Sequence, residues 1–351
     1  MSFPKMTKLW QALGLRVSII QAPMAGVSTP DLVAKVAANG ALGSFSAGVL
    51  SPGEVRANLD ELVRLVPDKR FNVNLFVETA PNVEDTIAQW NAYEKLLGPV
   101  RSELHLDPRP QSFPDEKYQY TLDANLALVQ EYRPSVVSFC FGVLDRAVVR
   151  DLQAFAFVVG TATSVEEGII LAEAGVDAIV AQGAEAGGHR SSFLHPAKEA
   201  LIGSMSLIPQ LCDAVKVPII AAGGITDHRH VQAALALGAE AVQVGSAFIA
   251  TPESNASPAW KAAMGPSHSS TSSVVTRGLT GRHARMLRND LVDLVLPQEE
   301  CAASSGIQRR RMREIFAKKD GRYASLLAGQ SHRLCHPETS VEDVLARLTQ
   351  P

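Results

Sequence analysis

The 351-residue sequence has few cysteines, no excess of basic residues and no long apolar runs. Its four cysteines are scattered without a CxxC or zinc-type spacing, so we expect free thiols and no metal site. A net charge of −3 argues against a dedicated nucleic-acid binder. No apolar run approaches the roughly 18 residues that span a bilayer, and the stretch Met1 to Gly14 lacks a signal-peptide pattern. We therefore expect a cytoplasmic protein that binds neither nucleic acid nor membranes.

What the sequence does contain is a regular alternation of short apolar strands and helical patterns. Helix starts are marked by Thr29-Pro30 and by two expected capping boxes, Ser51 with Glu54 and Ser164 with Glu167. Eight strands are predicted, over residues 17–20, 41–45, 71–76, 136–139, 156–159, 178–181, 218–221 and 241–244. Eight βα units favour an α/β fold of the (β/α)8 TIM-barrel type, with a doubly wound sheet as the alternative.

Two regions depart from this alternation. A polar insertion, from about Glu78 to Lys117, follows the third strand. We expect residues 1–250 to form the barrel and residues 251–351 a mostly helical cap over its mouth, with the last helix, 341–348, packing back on the barrel. The basic run 308–319 is interpreted as a solvated helix face, with anion binding as the alternative.

Glycine-containing turns follow the last two predicted strands. Gly223-Gly224 follows the seventh strand and Gly245-Ser246 follows the eighth. In barrels, the loops after these strands commonly bind a phosphate with the help of a helix N-terminus. The alternative is two tight turns that need glycine for backbone reasons alone. The two sites together favour a phosphorylated cofactor.

A histidine follows the sixth strand in the stretch Gln182-Gly-Ala-Glu-Ala-Gly-Gly-His189. Histidine exchanges a proton near neutral pH, and the carboxyl ends of parallel strands are where catalysis takes place. The alternative is a loop histidine whose ring bonds only to the backbone. The position beside the predicted phosphate site makes His189 the candidate catalytic residue.

Other polar side chains lie at strand ends as well. The amides of Gln21, Asn74 and Gln182 could contact a heterocycle or satisfy local backbone. Met24, in the loop Pro23 to Gly26, could lie against a ring system or in the core. Cys140 ends the fourth strand with no basic neighbour in sequence, which favours a pocket wall or core over a nucleophile.

These segments together resemble the nitronate monooxygenase (2-nitropropane dioxygenase-like) family of FMN barrels, and its first-class branch most of all. The matching stretches are 21–26, 72–74, 136–142, 160–163, 181–189, 221–225, 243–246, 281–285 and 328–330. The string Gln-Gly-x-Glu-Ala-Gly-Gly-His is specific to this superfamily, although flavin-dependent enoyl-acyl-carrier-protein reductases share much of it.

The resemblance implies FMN at the barrel mouth, with its phosphate on Gly223, Gly224, Gly245 and Ser246. It implies His189 as the catalytic histidine, with Ser138 and Cys140 in the substrate pocket. The remaining cofactor contacts that it implies are Ala22, Pro23, Met24, Asn74, Gln182, Gly187, Gly188 and Gln330. Two residues depart from the family pattern. Cys140 stands where the pattern has histidine, which bears on the substrate, and Ser191 follows Arg190 where glycine is usual, which restricts the loop.

The implied reaction is oxidation of alkyl nitronates, or of nitroalkanes, by O2 to a carbonyl compound and nitrite. His189 would remove the α-proton of a nitroalkane when neutral, or hold the nitronate when protonated. The alternative is an NAD(P)H-dependent FMN reductase acting on a quinone or an enoyl-acyl-carrier protein, with Arg309-Arg310-Arg311 as the carrier contact. A flavin-binding protein without catalysis is a third hypothesis. We expect a small nitro compound or nitronate and O2 as partners, and a homodimer as the candidate assembly.

Overall fold

A computed structural model describes residues 8–77, 87–112, 122–267, 269–337 and 339–350. Its central sheet has eight parallel strands. They are β1 (Ile19–Gln21), β2 (Gly43–Ser46), β3 (Phe71–Phe76), β4 (Val136–Cys140), β5 (Phe157–Ala162), β6 (Ala178–Gln182), β8 (Ile219–Ala222) and β9 (Ala241–Val244). A short strand, β7 (Gly188–His189), lies outside this sheet.

The eight strands close into the predicted barrel. Strand β1 pairs with β9, and a parallel bridge from Ile20 to Leu42 joins β1 to the start of β2. The amino end of the barrel is filled by an apolar cluster that includes Trp10, from helix α1 (Lys8–Ala12). These pairings close the sheet into a barrel whose amino end is filled by apolar side chains, and the TIM-barrel prediction is confirmed.

Helices surround the strands and bury their apolar faces against them. They are α2 (Pro30–Ala38), α3 (Pro52–Leu65), α5 (Leu122–Tyr132), α6 (Arg146–Gln153), α7 (Val165–Ala174), α8 (Ser204–Ala214) and α9 (His228–Ala236). The core between helices and strands contains branched residues such as Leu32, Val73 and Ile179, all fully buried. This packing covers the outer faces of the strands, and the inner faces also contain buried polar side chains such as Asn72 and Ser138.

The three predicted helix caps are confirmed, but one of the two predicted capping boxes is not. Thr29 caps α2, and Ser51 and Glu54 form a reciprocal capping box on α3. Ser164 caps α7 by accepting from the N–H of Glu167, but the Glu167 carboxylate accepts from Thr163 and from the loop N–H groups of Phe193 and Leu194. The second capping box is therefore wrong, because the Glu167 carboxylate tethers a loop instead of the helix start.

The predicted polar insertion lies partly outside the described residues, at 78–86 and 113–121. Its described part forms helix α4 (Ile87–Glu103). Tyr93 and Leu97 of α4 pack into a second core with residues of the last hundred positions, among them Leu291 and Met312. The boundary predicted at residue 250 stays a prediction, and this packing places α4 with the C-terminal side.

The C-terminal region combines helices with a β-hairpin. Its helices are α10 (Ser246–Ile249), α11 (Pro258–Ala262), α12 (Asp290–Val295), α13 (Ser305–Ala317) and α14 (Val341–Thr349). Strands β10 (Ser273–Thr276) and β11 (Ala284–Leu287) form the hairpin, and β11 also pairs with β7. Helix α14 packs against α2 and α9 of the barrel. None of the helices in the described ranges combines the length and the apolar character needed to cross a bilayer.

Candidate active site

A cavity of about 300 Å³ lies at the carboxyl ends of the barrel strands. This volume lies within the range of small-molecule binding sites. Its lining, apolar walls with a few convergent polar groups, is also typical of such sites. All but two of the predicted site residues line it: Ala22, Pro23, Met24, Asn74, Cys140, Gln182, Gly187, Gly188, His189, Gly223, Gly224, Gly245 and Ser246.

The two predicted residues outside the cavity are Ser138 and Gln330. The Ser138 hydroxyl donates to Asn74 Oδ1 at 2.9 Å and accepts from Asn72 at 2.9 Å, so it supports Asn74 from within the barrel. Gln330 is exposed, and its backbone N–H donates to the Glu185 carbonyl. The structure therefore does not bring Ser138 to the predicted substrate pocket or Gln330 to the predicted cofactor site.

The glycine pair after β8 adopts backbone conformations that suit glycine. Gly223 has a φ of +105°, and a Cβ there would lie 2.9 Å from the Ala186 nitrogen. Since β8 ends at Ala222, the N–H groups of Gly223 and Gly224 lie beyond its ladder, at the cavity wall. The short helix α10 begins at Ser246, directly after β9. This is the arrangement in which barrels bind phosphate.

Two hydroxyl groups complete this part of the wall. Ser246 Oγ accepts from the Gly329 N–H at 2.9 Å, which leaves its own proton to donate. Thr226 is buried, and within the described part of the chain its Oγ1 has no hydrogen-bond partner. An unpaired buried hydroxyl costs free energy, so the Thr226 side chain fits a ligand that accepts a hydrogen bond. Thr226 was not identified from the sequence as a site residue, because nothing in the local pattern shows whether its hydroxyl has a partner.

The position of His189 is fixed by a strand pairing and by a hydrogen bond from the Gln182 side chain. His189 forms β7, which pairs with β11, and its register partner is Ala284. The Gln182 side chain donates to the His189 carbonyl at 3.0 Å and accepts from the Ser191 N–H at 2.9 Å. Gln182 lines the cavity, where it was predicted to contact a ligand, but its amide also holds the loop that carries His189. Ser191 fits the loop without a positive φ, although glycine is usual there.

The tautomer of His189 follows from its hydrogen bonds. His189 Nε2 lies 3.1 Å from Thr280 Oγ1, and the Thr280 hydroxyl donates to the Arg282 carbonyl at 2.9 Å. Because Thr280 uses its only proton there, His189 Nε2 must be the donor in this pair. Nδ1 is then the proton-accepting atom of the ring.

The surroundings of His189 favour its neutral form. Burial is the main cause that lowers the pKa of His189 to about 3, and the nearby charges of Arg282 and Arg309 contribute to that shift. The Arg282 guanidinium lies 4.0 Å from the centre of the Phe141 ring, and that ring contacts His189 edge-on. Phe141 has a φ of 73°, an uncommon conformation for an aromatic residue. The sequence left the protonation state open, and this geometry selects a neutral ring.

Of the remaining predicted residues, Asn74 and Cys140 line the cavity, whereas Gln21 bonds to its neighbours in the barrel. Asn74 Nδ2 lies 3.9 Å from Cys140 Sγ, and both residues line the cavity, as the pocket-wall interpretation of Cys140 expects. Gln21 is fully buried, with its amide bonded to the Ser44 N–H and the Ser28 hydroxyl. Gln21 therefore satisfies its own barrel neighbours, which was the alternative for that residue.

The interpretation of residues 308–319 as a solvated face is wrong for part of the helix. Arg311 is fully buried, with its guanidinium 3.5 Å from the centre of the Trp90 ring. Gln308 is buried as well and donates to the Gly278 carbonyl at 2.7 Å. Arg309 lines the cavity, whereas Arg310 is exposed. The local sequence could not reveal this, because the helix packs on α4, which lies about 200 residues earlier in the chain.

Comparisons with known proteins agree with this geometry. The family model for nitronate monooxygenase matches residues 6–351. A probable nitronate monooxygenase of Staphylococcus aureus (strain MSSA476) is 37% identical over 354 residues, covering 98% of this chain and 97% of the relative.

Two solved structures are similar over nearly the whole chain. Nitroalkane oxidase from Streptomyces ansochromogenes has a TM-score of 0.85 and 32% identity, covering 97% of this chain and 98% of that chain. FabK from Thermotoga maritima has a TM-score of 0.72 and 26% identity, covering 98% and 96%. With the family model matched almost from end to end, the chain belongs to the nitronate monooxygenase family of flavin-dependent oxidoreductases.

Proposed function

We propose that the flavin is FMN and that it occupies the cavity at the barrel mouth. Its phosphate would lie on the N–H groups of Gly223, Gly224 and Gly245, with the hydroxyls of Ser246 and Thr226 as further donors. The unpaired Thr226 hydroxyl supports this fit, since a phosphate oxygen is an acceptor. The other end of the cavity, lined by Pro23, Met24, Asn74 and Gln182, would take the ring system.

Thr226 offers a test of the phosphate position. Thr226→Val keeps the shape of the side chain and removes the hydroxyl, so the dissociation constant of FMN should rise by about tenfold. The protein without FMN should not lose stability, because the hydroxyl has no partner to lose within the described residues. Binding is measured by flavin fluorescence quenching and stability by thermal unfolding.

Thr251→Val is the matched control, since the buried Thr251 hydroxyl already donates to the Phe248 carbonyl at 2.9 Å. That variant should lose stability and keep its FMN affinity. Unchanged FMN affinity in Thr226→Val would remove Thr226 from the phosphate site.

The reaction that we propose is oxidation of alkyl nitronates by O2 to a carbonyl compound and nitrite. Bound FMN supplies the electron acceptor and the site at which O2 reacts. The observation that carries the proposal is the placement of neutral His189 at the wall of one cavity with the glycine cradle. Nδ1 of His189 is the atom that accepts a proton, because Nε2 donates to Thr280.

The low basicity of His189 favours nitronates over neutral nitroalkanes. A base whose pKa is about 3 takes a proton from a much weaker carbon acid only slowly, because the transfer is strongly uphill. A nitronate has already lost that proton. Once the anion lies beside the ring, its charge favours protonation of Nδ1, which can then donate a charge-assisted hydrogen bond to it.

An anaerobic titration of the FMN-loaded protein tests this function. Propyl-2-nitronate is added to one sample and NADH or NADPH to another, and the absorbance of oxidised flavin is followed. Loss of that absorbance with nitronate, and only a slow response to the nucleotides, is the expected result. Aerobic samples should release nitrite in step with nitronate consumption.

The second candidate is an NAD(P)H-dependent FMN reductase, and the likeness to FabK favours it. The same titration separates the two functions. Rapid bleaching by NADH or NADPH, without any reaction with nitronate, would overturn the proposed oxidation and support the reductase.

A further inference from the structure

The proposed substrate is an anion, yet the candidate catalytic residue carries no charge in the free protein. A neutral His189 ring does not attract an anion from solution. Moving a negative charge into a cavity of low polarity is costly unless a cation or strong donors meet it there. The cavity wall is therefore where a permanent positive charge is needed.

Arg309 provides that charge. Among the described residues that line the cavity, it is the single lysine or arginine, and a guanidinium is a cation with several N–H donors. Arg282 is also near His189, but its guanidinium lies over the Phe141 ring and it does not line the cavity. Arg190 is buried behind the loop, where it donates to the carbonyls of Thr163 and Ala200.

The fold fixes the position of Arg309. The side chains of Gln308 and Arg311, on either side of it along α13, are fully buried. Gln308 donates to the Gly278 carbonyl, and Arg311 Nε lies 3.1 Å from a carboxylate oxygen of Glu94. Because Gln308 and Arg311 are buried and bonded to other segments, the position of α13 is fixed. Arg309 is therefore held at the cavity wall.

Arg309 lies on the substrate side of the cavity. Arg309 and His189 line the same cavity, and the positive charge of Arg309 is among the causes that lower the pKa of His189. The proposed phosphate donors are instead backbone and hydroxyl groups that follow β8 and β9, such as Gly223 and Ser246. The part of the cavity that Arg309 shares with His189 is where the reacting carbon and nitro group would lie.

We propose that Arg309 binds the negatively charged oxygens of the nitronate and makes the site select anionic nitronates over neutral nitroalkanes. The proposal rests on the proposed nitronate oxidation. A guanidinium presents paired donors in one plane, which matches the two oxygens of a planar nitronate in the way that it matches a carboxylate. Arg309 is thus a specificity-determining residue supplied by the C-terminal region.

The test compares Arg309→Gln with Arg310→Gln, which removes the same charge from the exposed neighbouring position. Arg309→Gln should raise the KM for propyl-2-nitronate by about 10- to 100-fold, the range expected for a lost hydrogen bond to a charged group. The Kd of inorganic nitrate, measured by its effect on the flavin spectrum, should rise by a similar factor. Arg309→Lys should recover part of both losses, and Arg310→Gln should leave both unchanged.

Three results would overturn the proposal. One is an unchanged KM and nitrate Kd in Arg309→Gln. Another is an equal loss in Arg310→Gln, which would indicate a general charge effect. The third is loss of FMN from Arg309→Gln, which would make Arg309 a cofactor residue. Failure of the proposed function looks different, since the wild-type protein itself would then not react with nitronate.

Discussion

Replacing His189 by alanine should lower kcat/KM for alkyl nitronates by about 100- to 1,000-fold while FMN remains bound. The variant loses the ring that takes up a proton at Nδ1 and then bonds to the anion, and the loss of one such preorganised donor typically costs this factor. Steady-state nitrite release measures the activity, and the flavin spectrum of the purified variant reports the bound cofactor.

His195→Ala is the control, because His195 lies in the same loop but is exposed. It should retain full activity. The wild-type pH profile provides a second reading: kcat/KM reports ionisations of the free enzyme, and burial holds the pKa of His189 to about 3. We therefore expect no inflection near the ordinary histidine pKa of about 6.5. Full turnover by His189→Ala would contradict the catalytic role.

Glu94→Gln should lower the free energy of unfolding by about 3–5 kcal/mol, the cost expected for breaking a buried ion pair. The Glu94 carboxylate is fully buried between two buried guanidinium groups, 3.3 Å from Arg101 and 3.1 Å from Arg311. Its removal leaves two positive charges without their shared counter-charge in the second core. Urea unfolding followed by tryptophan fluorescence measures the change, since Trp90 lies directly against Arg311.

Glu131→Gln is the matched control, because it makes the same substitution in the exposed ion pair with Arg56. Solvent screens that pair, so its loss should change stability far less than the loss of Glu94. An equally small effect of both substitutions would show that the buried cluster contributes little to stability.

Much of the barrel is predictable from the sequence because each of its parts is local. An apolar run of four to six residues, a glycine at the turn and a helix cap such as Thr29 or Ser51 all lie within one βα unit. The loops that line the cavity follow directly, since all parallel strands end at the same edge. The residues Gly223, Gly245 and His189 were found in this way.

What escaped prediction depends on contacts between distant segments. Strand β7 has only two residues and no sequence pattern of its own, and its partner β11 comes about 95 residues later. The burial of Arg311 likewise depends on the insertion helix α4. An arginine-rich helix is predicted to be solvated from its composition, because charged side chains are rarely buried without a partner. The partner of Arg311 is Glu94, which lies far away in the sequence. Ser138 was misplaced because it shares the inward face of β4 with Cys140 but lies two residues nearer the amino end of the barrel, where its hydroxyl bonds to Asn72 and Asn74.

The pairing of β7 with β11 also has a consequence for how the protein is made. All eight barrel strands have been synthesised once residue 244 has been added, but the strand that pairs with His189 begins only at Ala284. Helix α13, which carries Arg309, is translated later still. A nascent barrel could therefore begin to close before its histidine has a fixed position. We therefore expect the site to be complete only after β11 and α13 have been synthesised and have packed against the barrel.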